Sequence, residues 1–150
     1  STLASSSAAS TSSNKQNGTV LTLSIANIKL IAEPYNHEEF VSKVIGYENA
    51  PEGGARCNIC FAIRLDKTFK HAKDYGFEIV ASTLSVSPHK DFQKINEIGC
   101  GLADKYNIEY LPSNFKKNNG YLHSIQNSKK YNLYRQTYCG CALASGIVLQ

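Results

Sequence analysis

Two tight cysteine pairs, Cys57-x-x-Cys60 and Cys139-Gly140-Cys141, stand about eighty residues apart in a chain of 150. Cys57 and Cys60 have the i, i+3 spacing that puts two thiols on one side of a helix. At a helix start, the positive end of the macrodipole favours the thiolate form that metals and electrophiles require. Such a pair has three readings: a redox dithiol, half of a zinc site, or part of an iron–sulfur site. In the second pair Gly140 lets the backbone turn, so that both sulfurs can reach one centre. If the fold brings the pairs together, Cys57, Cys60, Cys139 and Cys141 make a four-thiolate site. If it does not, Cys57 and Cys60 could work alone as a thiol–disulfide couple. Cys100 has no partner nearby in sequence and lies about 140° round its helix from the apolar stripe that begins at Ile95, which reads as structural or incidental.

The totals narrow the setting. At this length a single domain can bury a core without covalent staples. A hydrophobic fraction of 42% and an aromatic fraction of 10% are those of a globular protein, and no run is long enough to span a bilayer. Five cysteines are an odd number, and a Cys-x-Cys pair is too tight for an easy internal disulfide. Both points favour a reducing, cytoplasmic setting over a disulfide framework. The first residues lack a basic start and an apolar stretch of signal-peptide type, and the chain does not begin with Met, so a longer parent is one expectation.

The elements that must position the thiols follow a strand–helix alternation. Residues 1–18 hold seven Ser in the first thirteen positions and no aromatic residue, a composition that cannot repay its ordering entropy and reads as a disordered tail. Residues 19–150 read as the folded domain. Residues 20–31 are apolar and β-branched, one strand. Asn36, with Glu39 three residues on, caps a helix whose apolar face is Phe40, Val41, Val44 and Ile45. After the loop at residues 51–54 comes the helix carrying Cys57. It presents Ile59, Ile63, Phe69 and Ala72 to the core and stops at Gly76. Residues 77–84 alternate as a strand. Ser87-Pro88 then starts a helix, Ser as cap and Pro at its first position, with Ile95, Ile98, Leu102 and Tyr106 inward. Residues 108–111 are a short strand, 112–120 a polar loop and 121–130 a helix. This pattern is α/β, with a mainly parallel sheet and flanking helices.

Charge is unevenly spread over the net +4. Residues 1–109 carry eleven Lys/Arg against twelve Asp/Glu; residues 110–150 carry Lys116, Lys117, Lys129, Lys130 and Arg135 with no acidic residue. Tyr110, Tyr121, Tyr131, Tyr134 and Tyr138 are interleaved with them. Lys and Arg neutralise phosphates and tyrosine rings stack on unpaired bases, so this third reads either as an RNA-facing surface or as an ordinary solvated face. His89 follows a strand where α/β folds bind anions, and Arg56 and Arg64 flank the first pair.

Read together, these segments resemble the QueH family of epoxyqueuosine reductases. The likeness rests on Gly53-Gly54-Ala55-Arg56-Cys57-Asn58-Ile59-Cys60, Ser85-Val86-Ser87-Pro88-His89-Lys90, Leu111-Pro112-Ser113-Asn114-Phe115-Lys116-Lys117 and Tyr134-Arg135-Gln136-Thr137-Tyr138-Cys139-Gly140-Cys141, in order over about residues 28–141. It implies a nucleotide-hydrolase-like α/β fold and the reduction of epoxyqueuosine to queuosine at the wobble position of tRNA. It also implies a 4Fe–4S cluster with an adjacent iron, an electron donor, and a tRNA anticodon stem-loop as substrate. On that reading Cys57, Cys60, Cys139 and Cys141 are metal or cluster ligands, and Arg56, His89, Lys116, Lys117, Tyr134 and Arg135 contact tRNA. No catalytic residue is assigned. The family's opening Cys-Cys-x-x-Cys strand has no counterpart among these residues, and Asn114 stands where the family usually has Asp. The expectation is therefore a fold incomplete at the N-terminus. Its alternative function is a non-catalytic, zinc-stabilised RNA-binding module, since four thiolates hold zinc more simply than a cluster plus a second metal.

Overall fold

The computed structural model describes residues 11–12, 19–23, 28–34, 36–136, 138–141 and 143. The chain divides into two compact units, Ser1–Glu39 and Phe40–Gln150. In the first, β1 (Thr11–Ser12), β2 (Thr19–Leu23) and β3 (Ile28–Ala32) form an antiparallel sheet in the order β1-β2-β3. The single strand expected over residues 20–31 is thus two strands, in register from Thr19 opposite Ala32 to Leu23 opposite Ile28. A run of twelve residues exceeds a usual strand length, and as two paired strands it satisfies its own backbone groups. Of the tail expected at residues 1–18, only Thr11–Ser12 is described.

The helix α1 (His37–Lys43) begins where the capping pattern places it, with the Glu39 N–H donating to Asn36 Oδ1 at 3.1 Å. In the second unit Val44 is fully buried, whereas Ile45, expected beside it, is 68% exposed. The helix has ended by then, and Gly46 at φ +85° turns the chain away.

The spine of the second unit is α2 (Ala55–Tyr75), 21 residues long. It stops as expected: Gly76 takes the left-handed conformation at φ 73°, and its N–H and that of Phe77 return to the Ala72 carbonyl. The buried stripe is Cys57, Phe61, Leu65, Phe69 and Ala72, as expected at Phe69 and Ala72 but offset in the first turns. Ile59 and Ile63 are only half-buried. Both stripes have helical spacing, and the one that packs on α3 takes the core.

Two short strands, β4 (Ile79–Ala81) and β5 (Glu109–Leu111), pair in parallel with Ile79 opposite Glu109. Between them the chain passes through a 3-10 turn at Leu84–Val86 and the helix α3 (Phe92–Tyr106). The α/β class therefore holds, with its parallel pairing confined to β4–β5 among the described residues. Val80 and Tyr110 point into the core with Phe69 and Ile95. A Cβ at Gly99 on α3 would come within 2.4 Å of the Tyr110 ring, so helix and strand approach closely only because that position is bare. The helix α4 (Gly120–Lys130) follows the loop after β5.

One helix start is displaced. Ser87 does not cap α3; Asp91 does, its Oδ1 accepting from the N–H groups of Gln93 at 2.9 Å and Lys94 at 3.3 Å. Ser87-Pro88-His89-Lys90 is instead a turn ahead of the helix, in which Ser87 Oγ accepts from the His89 N–H. No helix among the described residues is long and apolar enough to cross a membrane.

Candidate thiol site and basic surface

The first cysteine pair sits in the opening turn of α2, as its spacing predicts. Cys57 is buried and Cys60 half-buried. The preceding loop folds over Cys57, and the Gly53 N–H donates to its Sγ at 3.2 Å. Cys139 and Cys141 are also half-buried, all of these thiols are unbridged, and Cys100 is exposed. Cys139 Sγ lies 3.7 Å from Lys90 Nζ, and that same ammonium stands 6.0 Å from the ring centroid of Phe61, one turn beyond Cys57. Lys90 thus links the second pair to the end of α2 that carries the first.

The expected four-thiolate cluster is not gathered as such. Among the described residues no three His, Cys, Asp or Glu side chains are close enough to share a metal ion. Cys57 is turned to the Gly53 amide, while Cys139 is held by Lys90. The residues fit a sulfur-bound metal in kind: the donors are thiols, and two of the sulfurs already accept N–H hydrogen bonds, as ligating sulfurs do.

Arg56, expected among the tRNA contacts, is 4% exposed. Its guanidinium donates to the carbonyls of Tyr47 at 3.4 Å and Glu48 at 2.5 Å, while Nε has no partner. It pins the loop between α1 and α2, a role its charge did not suggest. His89 is exposed in the turn before α3, not in the first turn of that helix.

The loop after β5 is tied down by small polar groups that sequence reasoning passed over. Asn96 on α3 accepts from the Tyr110 hydroxyl and the Ser113 N–H and donates to the Ser113 carbonyl, each at 3.2 Å. Ser113 Oγ donates to the Ser82 carbonyl, and the Phe115 N–H to Ser85 Oγ. Burial, then the neighbouring Cys100, raises the pKa of the Tyr110 phenol. Asn114 Oδ1 accepts from the Lys116 N–H, so at this position the amide closes a turn. The Lys116 side chain reaches back to the carbonyls of Lys90 and Pro88 at 2.5 and 3.5 Å, and it lies over the Phe92 ring. Lys117 is exposed. Only a run of Ser and Asn after each strand could have signalled this network.

Beyond α4 the chain is held by Arg135, which donates to Ser124 Oγ and Ser128 Oγ, both at 3.2 Å, and covers the Tyr121 ring. These partners lie one turn apart on a single face of α4. Tyr134 is thereby presented to solvent at 80% exposure, with Tyr131 and Tyr138 more than half exposed. A hydrogen bond with Tyr138 raises the pKa of the Tyr134 phenol. Lys130 lies over Tyr131. Here the expected mixture of cations and open rings is realised, although Arg135 itself is a strut.

The model of the family described as epoxyqueuosine reductase QueH matches residues 9–146. Curated proteins of that name are similar over most of the chain. The one from Streptococcus pyogenes serotype M1 is 47% identical over 118 residues, 79% of this chain and 46% of the relative. That from Staphylococcus epidermidis is 43% identical over 122 residues, 80% of this chain and 51% of the relative. A more distant one, from Thermotoga maritima, is 34% identical over 113 residues, 73% of this chain and 59% of the relative. The chain spans about half the length of the curated relatives it matches.

Proposed function

The chain belongs to the QueH family, and from that premise we propose that it acts in reducing epoxyqueuosine to queuosine at the wobble position of tRNA, in the cytoplasm. The reaction removes the epoxide oxygen as water: both carbon–oxygen bonds break, a carbon–carbon double bond forms, and two electrons and two protons are consumed. An external electron donor supplies the electrons. Cys57, Cys60, Cys139 and Cys141 are assigned as the ligands of a 4Fe–4S group, which would supply single-electron chemistry when bound. An adjacent iron is the further metal that the family reading carries.

The observation that carries the proposal is the Lys90 contact. It connects Cys139 with the helix end bearing Cys57, although the two are about eighty residues apart. The substrate side rests on the residues after β5. Lys117, Tyr131 and Tyr134 are open to solvent, and a single-stranded anticodon loop is held by stacking on rings and by cations on phosphates. Lys116 and Arg135 would serve that surface by shaping it, and His89 lies within the turn that Lys116 holds. Arg56, enclosed by the loop at Tyr47–Glu48, would support Cys57 from behind.

Anaerobic treatment with iron and sulfide tests the reading. The expected result is broad visible absorbance that disappears in a Cys139→Ser/Cys141→Ser double variant. The loaded protein, given a chemical reductant, should convert an epoxyqueuosine-bearing anticodon stem-loop to a product lighter by one oxygen atom. Colourless, stoichiometric zinc binding with no conversion would instead identify a zinc-stabilised RNA-binding module. A dithiol activity that survives the double variant would assign Cys57 and Cys60 to thiol–disulfide exchange.

A further inference from the structure

Lys90 belongs neither to the thiol set nor to the residues assigned to tRNA. Its side chain is only 19% exposed, whereas a lysine ammonium ordinarily stays in water. Nζ lies 3.5 Å from Glu52 Oε1, 3.7 Å from Cys139 Sγ and 6.0 Å from the Phe61 ring centroid. Those partners come from three places: the loop ahead of α2, the C-terminal segment, and α2 itself. The Lys90 carbonyl accepts from Lys116 Nζ, which holds the backbone from a fourth direction. An ammonium has three donors and no acceptor, so it can hold a carboxylate and a sulfur together. Glu52 also belongs to the turn whose next residue, Gly53, donates to Cys57 Sγ.

We infer that Lys90 is a positioning residue of the thiol site: its ammonium draws the Cys139-Gly140-Cys141 segment against the loop that covers Cys57. The inference rests on the thiol-ligand reading above and goes beyond it by naming what brings the pairs together. An isolated exposed ion pair would be too weak for this task. Lys90 is mostly shielded and its ammonium also stands over the Phe61 ring, so its position does not depend on the Glu52 pair alone. Four thiolates around a divalent ion would carry a net double negative charge. A hydrogen-bonding ammonium beside one sulfur offsets part of it, and outer partners of this kind govern metal affinity.

Wild type, Lys90→Met and Lys90→Arg are compared, Met keeping an unbranched stem of similar length without the charge and Arg keeping the charge. In the reduced, metal-free chain, a short thiol-to-thiol cross-linker followed by trypsin reads the juncture between peptides 57–64 and 136–150. The wild type should give the joined pair, Lys90→Met should lose it several-fold, and Lys90→Arg should recover most of it while all three melt alike. Zinc affinity, measured by chelator competition, should fall about 10- to 100-fold in Lys90→Met. Cross-linking that is absent in the wild type, or undiminished in Lys90→Met, overturns the inference. So does a Lys90→Met chain that melts far below wild type while Lys90→Arg fails to restore the cross-link. Lys90-dependent cross-linking without binding of zinc or iron supports the positioning role and refutes the metal reading instead.

Discussion

At its C-terminal half α2 turns Leu65, Phe69 and Ala72 to a core shared with Ile95, Val80 and Tyr110, with Phe69 stacked on Tyr106 at 5.9 Å. At its N-terminal end the same helix meets loops through polar atoms: Arg56 on the carbonyls of Tyr47 and Glu48, Gly53 on Cys57, and Lys90 between Glu52 and Cys139. Apolar packing is additive over area and hard to rearrange. Point contacts to loops are few, and each can be exchanged for a contact to a ligand. The same 21-residue helix is therefore held mainly by apolar packing along its later turns, whereas at the thiol end, where Cys57 and Phe61 still join the core, polar contacts to loops are added.

The largest test of this contrast is at the packed end. Phe69 is fully buried, and Phe69→Ala should destabilise by about 3–5 kcal/mol, seen as an earlier midpoint in urea unfolding followed by circular dichroism. Next comes the loop end. Arg56→Met would leave the carbonyls of Tyr47 and Glu48 without their donor and should destabilise by about 1–3 kcal/mol. It should also speed alkylation of Cys57, which Phe69→Ala should do only through global unfolding. If Arg56→Met cost more than Phe69→Ala, the contrast between the two ends would be reversed.

The smallest effect belongs to the polar clasp beside the packed end. Asp66 Oδ1 accepts from Lys105 Nζ at 2.7 Å and from the Tyr106 hydroxyl at 3.0 Å. Burial works to raise the Asp66 pKa, but the bonds from Lys105 and Tyr106 outweigh it, and the result is lowered. Lys105 is raised, first by its bond to Asp66. A depressed carboxyl stabilises above its unfolded range, about pH 4, and loses that contribution as pH falls through its folded pKa. A raised amine stabilises below about pH 10.4 and loses its contribution as pH climbs through its folded pKa. Asp66→Asn should therefore melt slightly below wild type near neutrality, with the gap closing at both pH extremes. A gap that persisted at low pH would show that the clasp works through packing and not charge.

Local signals carried well from sequence to structure. The Asn36 cap, the Gly76 stop and the helix at Gly120–Lys130 depend on backbone geometry and groups within a few residues. Choices between equal local signals did not carry. Ser87-Pro88 and Asp91 are both good helix starts, and Lys116, arriving from 26 residues away, engages the carbonyls of Pro88 and Lys90 in the turn that separates them. Ile59–Ile63 and Phe61–Leu65 have the same spacing, and the facing layer of α3 and β4 selects the second. Arg56 read as a tRNA contact because its actual partners, two loop carbonyls, carry no signal in residue type. Lys90 stood inside a stretch that marked the family, yet nothing in its neighbours told of Glu52 or Cys139.

The sequence by itself determined the kind of chemistry available: two thiol pairs at ligand spacing, a basic and tyrosine-rich final third, and an α/β alternation. These follow from residue type and short-range geometry. Only the tertiary structure decided which charges are free and which are fastened. It buried Arg56, made Arg135 a strut on α4, left Tyr134 open, and set one ammonium between the loops of the two cysteine pairs. Such contacts need distant loops to close, and their energy comes from polar atoms whose partners no local pattern records.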